Sequence, residues 1–217
     1  WLDQETAAVM TPGQEGYYVL LHELGHALGL QHPLPESDKS GATVLLNSFA
    51  TTSNTLMLEL NTADALDSWP NWFGAFDVQA LRYLYGKREF AAGNDTYTVR
   101  DSSSNLTIVD DGGIDTLDVS SVSMSARVDL RDGKASSIGM DTDGTSKFKN
   151  VVITNGSYIE NVIGSPYDDV IIGNLQNNLI TFTGGSDIVD GQGGVDIVRF
   201  SSKSTEFKVS QENTTGY

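Results

Sequence analysis

Between Gly164 and Phe200 the chain repeats itself every nine residues. The blocks run Gly-Ser-Pro-Tyr-Asp-Asp-Val-Ile-Ile, Gly-Asn-Leu-Gln-Asn-Asn-Leu-Ile-Thr, Phe-Thr-Gly-Gly-Ser-Asp-Ile-Val-Asp and Gly-Gln-Gly-Gly-Val-Asp-Ile-Val-Arg. The sixth place holds Asp169, Asn178, Asp187 and Asp196, and the eighth holds Ile171, Ile180, Val189 and Val198. This register leaves few folds open. Six residues of turn chemistry alternate with three residues of strand chemistry. The large apolar residue at place eight is expected to point inward and stack on its equivalents. Several glycine places are filled otherwise, by Ser165, Tyr167, Asn174, Gln176, Phe182 and Thr183.

The spacing matches the G-G-x-G-x-D-x-U-x pattern of calcium-binding parallel β-rolls. In such a roll two nonapeptides make one coil, so Asp169 lies beside Asp187 and Asn178 beside Asp196. Turn carbonyls and the place-six side chains then cage calcium between stacked turns. The turn positions Gly164, Gly184, Gly191 and Gly193 join that set. Without cations the stacked carboxylates repel one another, so folding of this segment is expected to depend on calcium. The two blocks richest in substitutions are expected to bind more weakly or not at all.

Composition agrees. The formal net charge of −16 argues against nucleic acid or an anionic membrane as partner and fits carboxylates awaiting cations. There is no cysteine, so disulfides do not staple the fold. No apolar run approaches the length of a membrane span.

All three histidines fall within the run His22-Glu23-Leu24-Gly25-His26-Ala27-Leu28-Gly29-Leu30-Gln31-His32. This is H-E-x-x-H-x-x-G-x-x-H with every fixed place filled. Four residues apart on a helix, His22 and His26 share a face and can hold one ion. Gly29 lets the chain leave the helix, and His32 returns as a third ligand. Three neutral nitrogens leave a position for water, as in a catalytic zinc site. Glu23, beside His22, is placed to act as general base without binding the metal.

The motif resembles the metzincin metalloproteases. Pro33 after the third histidine, and Gly16-Tyr17-Tyr18-Val19-Leu20-Leu21 before the first, look like the serralysin branch. The ending Ala-Leu-Arg-Tyr-Leu-Tyr-Gly, residues 80–86, is similar to the last helix of its catalytic domain. That resemblance implies one catalytic zinc and several structural calcium ions. It makes Met57 the methionine of the turn beneath the zinc. Two places on, where the family carries Tyr, stands Glu59, which leaves open whether Glu59 binds the metal. The segment Asp110-Asp111-Gly112-Gly113-Ile114-Asp115-Thr116 resembles a family calcium loop. By that resemblance Asp95, Asp110, Gly112, Gly113 and Asp115 form one calcium site, and Asp115 with Glu160 contributes to a second.

The expected fold is α+β. The C-terminal part of a zinc peptidase domain, residues 1–88, precedes an all-β roll or sandwich, residues 89–217, that is incomplete at its end. Helices are expected over Gly16–Leu30 and Gly74–Tyr85, the second burying Phe76, Ala80, Leu81 and Leu84. A strand is expected at Glu206–Val209. Trp1–Glu5 does not look like a protein start, and no N-terminal export signal is read.

The resemblance implies a secreted zinc endopeptidase acting on proteins or peptides. Export from a Gram-negative bacterium without an N-terminal signal goes with it. About fifteen residues precede the first helix, so the missing half of a cleft is expected elsewhere in a longer polypeptide. The alternative is a non-catalytic calcium-binding module of a larger extracellular assembly, with a relic zinc site. A third possibility is a protease switched by calcium.

Overall fold

The structure, a computed structural model, describes residues 10–33, 51–52, 54–59, 69–70, 72–103, 105–140, 144–145, 147, 149–201 and 208–210. The expected strand at Glu206–Val209 falls largely outside these residues, as do Trp1–Glu5.

Helix α1 spans Glu15–Ala27 and buries Tyr18, Leu21, His22 and Gly25. It ends three residues before the expected Leu30. The reason is a C-terminal lock: the Leu30 N–H donates to the Gly25 carbonyl (3.0 Å) and the Gly29 N–H to the His26 carbonyl (2.9 Å), with Gly29 at φ +91°. These two bonds satisfy carbonyls the helix would otherwise leave bare.

Helix α2 spans Ala75–Tyr85. Asp77 closes its first turn, accepting from the Gly74 N–H at 2.9 Å. The face differs from the expected one. Ala75 and Asp77 are buried, Phe76, Ala80 and Leu81 are half-buried, and Leu84 is 52% exposed. Leu84 leans over Gly29 on one side and meets solvent on the other.

From residue 96 onward the described elements are strands: β1 (Thr96–Thr98), β2 (Leu106–Ile108), β3 (Thr116–Asp118), β4 (Arg127–Asp129), β5 (Ala135–Ser136), β6 (Val151–Ile153), β7 (Asn161–Ile163), β8 (Val170–Ile172), β9 (Leu179–Phe182), β10 (Ile188–Asp190) and β11 (Ile197–Phe200). One sheet has the order β1-β3-β7-β9-β11, a second β10-β8-β4 and a third β2-β6-β5. Every pairing is parallel except β5 with β6. Within the repeat the register is eighteen: Ile188 opposes Val170, and Ile197 opposes Leu179.

Place eight points inward as its apolarity requires. Ile171 and Ile180 are fully buried, and Val189 is half-buried against the same core. Val198 departs from the expectation at 40% exposed, because it lies on the edge strand β11 with no further strand beside it among the described residues.

The repeat also starts earlier than its spelling suggests. Asn161 opposes Leu179, so residues 155–163 form one more nonapeptide, with Glu160 at place six and buried Val162 at place eight. The buried apolar residues form two clusters. One is the roll core. The other joins Tyr18, Leu21, Leu30, Leu56, Met57 and Phe73 around α1.

Candidate metal centres

The three histidines converge. His22 Nε2 lies 3.1 Å from His32 Nε2, and His26 Nε2 lies 3.0 Å from the same atom. An ion about 2.0–2.1 Å from each nitrogen in tetrahedral array would hold them about 3.3 Å apart, so the set fits zinc. The outer nitrogens face oxygen. His22 Nδ1 is 3.0 Å from the Leu56 carbonyl, and His26 Nδ1 is 3.0 Å from the Leu30 carbonyl. With its proton on Nδ1, each imidazole presents a lone pair at Nε2. Burial holds the His22 pKa below its ordinary value, which keeps it neutral as a metal requires.

Glu59 reaches His32 from the outer side, its Oε1 3.5 Å from Nδ1, and its side chain is 73% exposed. Glu23 follows His22 on α1 and is exposed.

The floor of this site is built from a distance. Met57 is buried, and a Cβ added to Gly25 would fall 2.4 Å from the Met57 sulfur. Only a residue without a side chain lets the methionine lie against the helix between the two ligand histidines. Asp77 holds the Met57 segment. It accepts from the Thr55 hydroxyl (2.7 Å), the Leu56 N–H (2.6 Å) and the Gly74 N–H (2.9 Å). The Thr55 oxygen in turn accepts from the Met57 N–H at 3.0 Å. Burial pushes the Asp77 carboxyl above its ordinary pKa, against the pull of those donors. Tyr18, one turn before His22, donates to the Leu58 carbonyl and lies 3.3 Å from His22 Nδ1. Sequence reasoning missed Tyr18 and Asp77 as supports. The readable signals were the four-residue spacing from His22 and an acid in the first turn of α2.

The second centre lies where β1 and β3 begin. Asp95, Asp110 and Asp115 bring one carboxylate oxygen each within 4.8 Å of one another. Asp110 is already engaged: Oδ1 accepts from the Gly112 N–H and Oδ2 from the Tyr97 hydroxyl at 2.6 Å. Burial and that bond raise the Tyr97 pKa well above the usual phenol value. Asp115 Oδ1 accepts from the Asp95 N–H at 2.7 Å, whereas its buried Oδ2 has no hydrogen-bond donor. An orphaned carboxylate oxygen facing two further carboxylates is the chemistry of a hard cation site. Burial, followed by the Asp110 and Glu160 charges, raises Asp115 to about 6. Glu160 sits one level on, accepting from the Asp115 N–H at 2.9 Å. The turn closes tightly: Gly113 has φ +140°, and a Cβ there would meet the Gly93 carbonyl at 2.0 Å.

The remaining predicted positions line two stacks of turns. The Asp169 N–H donates to Asp187 Oδ1, and the Asn178 N–H to Asp196 Oδ1, each at 2.9 Å. Burial and the neighbouring Asp169 and Asp168 raise Asp187 to about 6. Gly164 and Gly184 lie in the turns of Asp169 and Asp187, and Gly191 and Gly193 in the turn of Asp196.

The sequence is similar to known proteins. The family described as peptidase M10 serralysin C terminal matches residues 77–215. Serralysin of Proteus mirabilis is 30% identical over 201 aligned positions, covering 82% of this chain and 40% of that protein. Serralysin of Photorhabdus luminescens is 32% identical, covering 76% and 37%. Serralysin G of Dickeya chrysanthemi is 32% identical, covering 83% and 41%. The chain belongs to the serralysin C-terminal family of M10 peptidases. It spans about two fifths of the length of these relatives. The family match begins downstream of the histidines. No described helix is long and apolar enough to cross a membrane.

Proposed function

We propose that this chain carries the zinc site and the calcium-stabilised roll of a secreted zinc endopeptidase. One observation carries the reading: three imidazole nitrogens converge at zinc spacing, with Glu23 adjoining the first of them in sequence. When bound, zinc supplies a Lewis acid and lowers the pKa of an attacking water. His22, His26 and His32 hold the ion through Nε2. Leu56 and Leu30 carbonyls fix the first two rings by accepting at Nδ1. The Glu23 carboxylate takes the water's proton and returns it to the departing amine. Asp95, Asp110 and Asp115, with Glu160 adjoining, bind calcium and set the roll. The endopeptidase's substrates are proteins or peptides.

The test compares full-length protein with its Glu23→Gln variant on an unstructured protein substrate, zinc and calcium present. The parent cleaves, and the variant binds one zinc yet loses at least about a hundredfold in rate. Silence from a zinc-loaded parent sinks the peptidase. It would leave the second reading, a calcium-binding module with a relic zinc site, which Glu59 in the family's Tyr position favours.

A further inference from the structure

The family implies calcium throughout the roll, but the coil of residues 164–181 does not fit it. Place two of its two blocks holds Ser165 and Asn174 instead of glycine, and both side chains are buried. Asn174 Nδ2 donates to the Ile159 carbonyl at 2.9 Å and approaches the Leu130 carbonyl at 3.5 Å. Its Oδ1 accepts from the Gln176 N–H (2.9 Å) and from Asn178 Nδ2 (3.1 Å). Asn178 Nδ2 also donates to the Glu160 carbonyl at 3.1 Å, while its Oδ1 accepts from the Asn174 N–H at 2.9 Å. In the other stack, the buried Asp169 carboxylate takes three donors. These are the Ser165 N–H (2.7 Å), the Ser165 hydroxyl (2.6 Å) and the Ala126 N–H (2.8 Å).

A calcium ion needs six to eight oxygen ligands facing it with their lone pairs free. Here the inward carbonyls of Ile159 and Glu160 already receive amide hydrogens. The two carboxamides present N–H dipoles, positive end first, to the carbonyls a cation would contact. The oxygens of the one carboxylate, Asp169, are taken by hydrogen-bond donors in place of a metal. The coils on either side differ at place six, although the downstream coil also lacks place-two glycines, at Thr183 and Gln192, and the Thr183 hydroxyl donates to the Gly164 (3.2 Å) and Ser165 (2.8 Å) carbonyls. Asp115 keeps a buried oxygen without a donor upstream, and Asp187 and Asp196 supply place-six carboxylates downstream.

We infer that Ser165 and Asn174 stand in for calcium, making residues 164–181 a metal-free coil between two calcium-dependent ones. The substitutions at place two are therefore replacements of the cation by side chains, and not a decayed repeat. The roll keeps a hydrogen-bonded middle when calcium is withdrawn. The inference rests on the calcium-stabilised roll proposed above, and on neither zinc nor activity.

Amide hydrogen exchange on the whole protein, in calcium and in excess EGTA, tests it. Three amides report the metal-free coil: Gly164 to Thr181, Val170 to Ala126 and Leu179 to Glu160. Three report its neighbours: Thr116 to Asp95, Ile188 to Asp169 and Ile197 to Asn178. On chelation the second group should exchange at least about a hundredfold faster, and the first by less than about tenfold. Equal acceleration of both groups overturns the inference. Asn174→Gly restores the repeat's glycine and should make protection at Leu179 calcium-dependent. Parent-like protection at Leu179 in this variant under EGTA would equally overturn it. A variant that stays unfolded with calcium leaves the parent comparison to decide.

Discussion

The two candidate metal centres of this chain are assembled in opposite ways. The proposed zinc centre takes all its candidate ligands from eleven consecutive residues, yet their orientation is set from far off, by Leu56 and Asp77. The proposed calcium corner gathers Asp95 from one turn, Asp110 and Asp115 from a second and Glu160 from a third. At the first centre the three side chains are imidazoles, which bring no negative charge. At the second, three carboxylates meet with little solvent around two of them, an arrangement a bound cation would make favourable. A local motif with a remote support resists losing its metal. A remote assembly of like charges resists forming without it.

Asp77→Ala attacks the remote support and has the largest expected effect. It leaves the Leu56 and Gly74 N–H groups and the Thr55 hydroxyl without their acceptor, at about 1–3 kcal/mol for each buried group left unpaired. Urea unfolding should show a loss of about 3 kcal/mol or more. Zinc affinity, read by competition with a chromophoric chelator, should fall about 10–100-fold, because the Leu56 carbonyl no longer holds His22. An unchanged zinc affinity would show that the ligands orient themselves.

Gly25→Ala is next. The new Cβ would press on the Met57 sulfur, and overpacking of this kind costs about 1–3 kcal/mol. Zinc affinity should fall with it, while calcium affinity stays put.

The smallest effect separates the two regions by sign. Asp115 and Asp187 are raised from 3.8 to about 6, so without calcium the folded roll holds protons the unfolded chain releases. Its metal-free stability therefore falls as pH rises from about 4 through 6. His22 is lowered from 6.5, so stability around the helix is lost as pH falls below 6.5. Acidifying metal-free protein from pH 7 to 5 should steady amides in the turns of Asp115 and Asp187 and loosen those of α1. With calcium bound the roll's response reverses, because protons compete for the same oxygens. Hydrogen exchange reads all three, and a shared sign in metal-free protein would refute the contrast.

Much of this was legible in the sequence because the determinants are periodic or contiguous. His22, His26 and His32 declare themselves by spacing, and Ile171 and Ile180 by recurrence. What stayed hidden depends on partners distant in the chain. Nothing near Asp77 says that its oxygens will meet Thr55 and Leu56. The nonapeptide at 155–163 is disguised because Glu160 replaces Asp, and only its pairing with β9 reveals it. Leu84 carries a helical period, yet its far side faces solvent. Ser165 and Asn174 read as lost glycines, since their value lies in hydrogen bonds across coils.

Asp110 and Asp111 are consecutive, and their carboxylates serve different masters. Asp110 faces the proposed calcium corner, whereas the Asp111 carboxylate grips Arg82 at 2.8 Å and Lys87 at 2.9 Å around the end of α2. In the first turn of α2, at its other end, Asp77 holds the floor under the histidines. Helix α2 is thus a tie rod about 16 Å long, bolted at each end by an aspartate. One peptide link in the roll is the far anchor of the strut that braces the zinc floor.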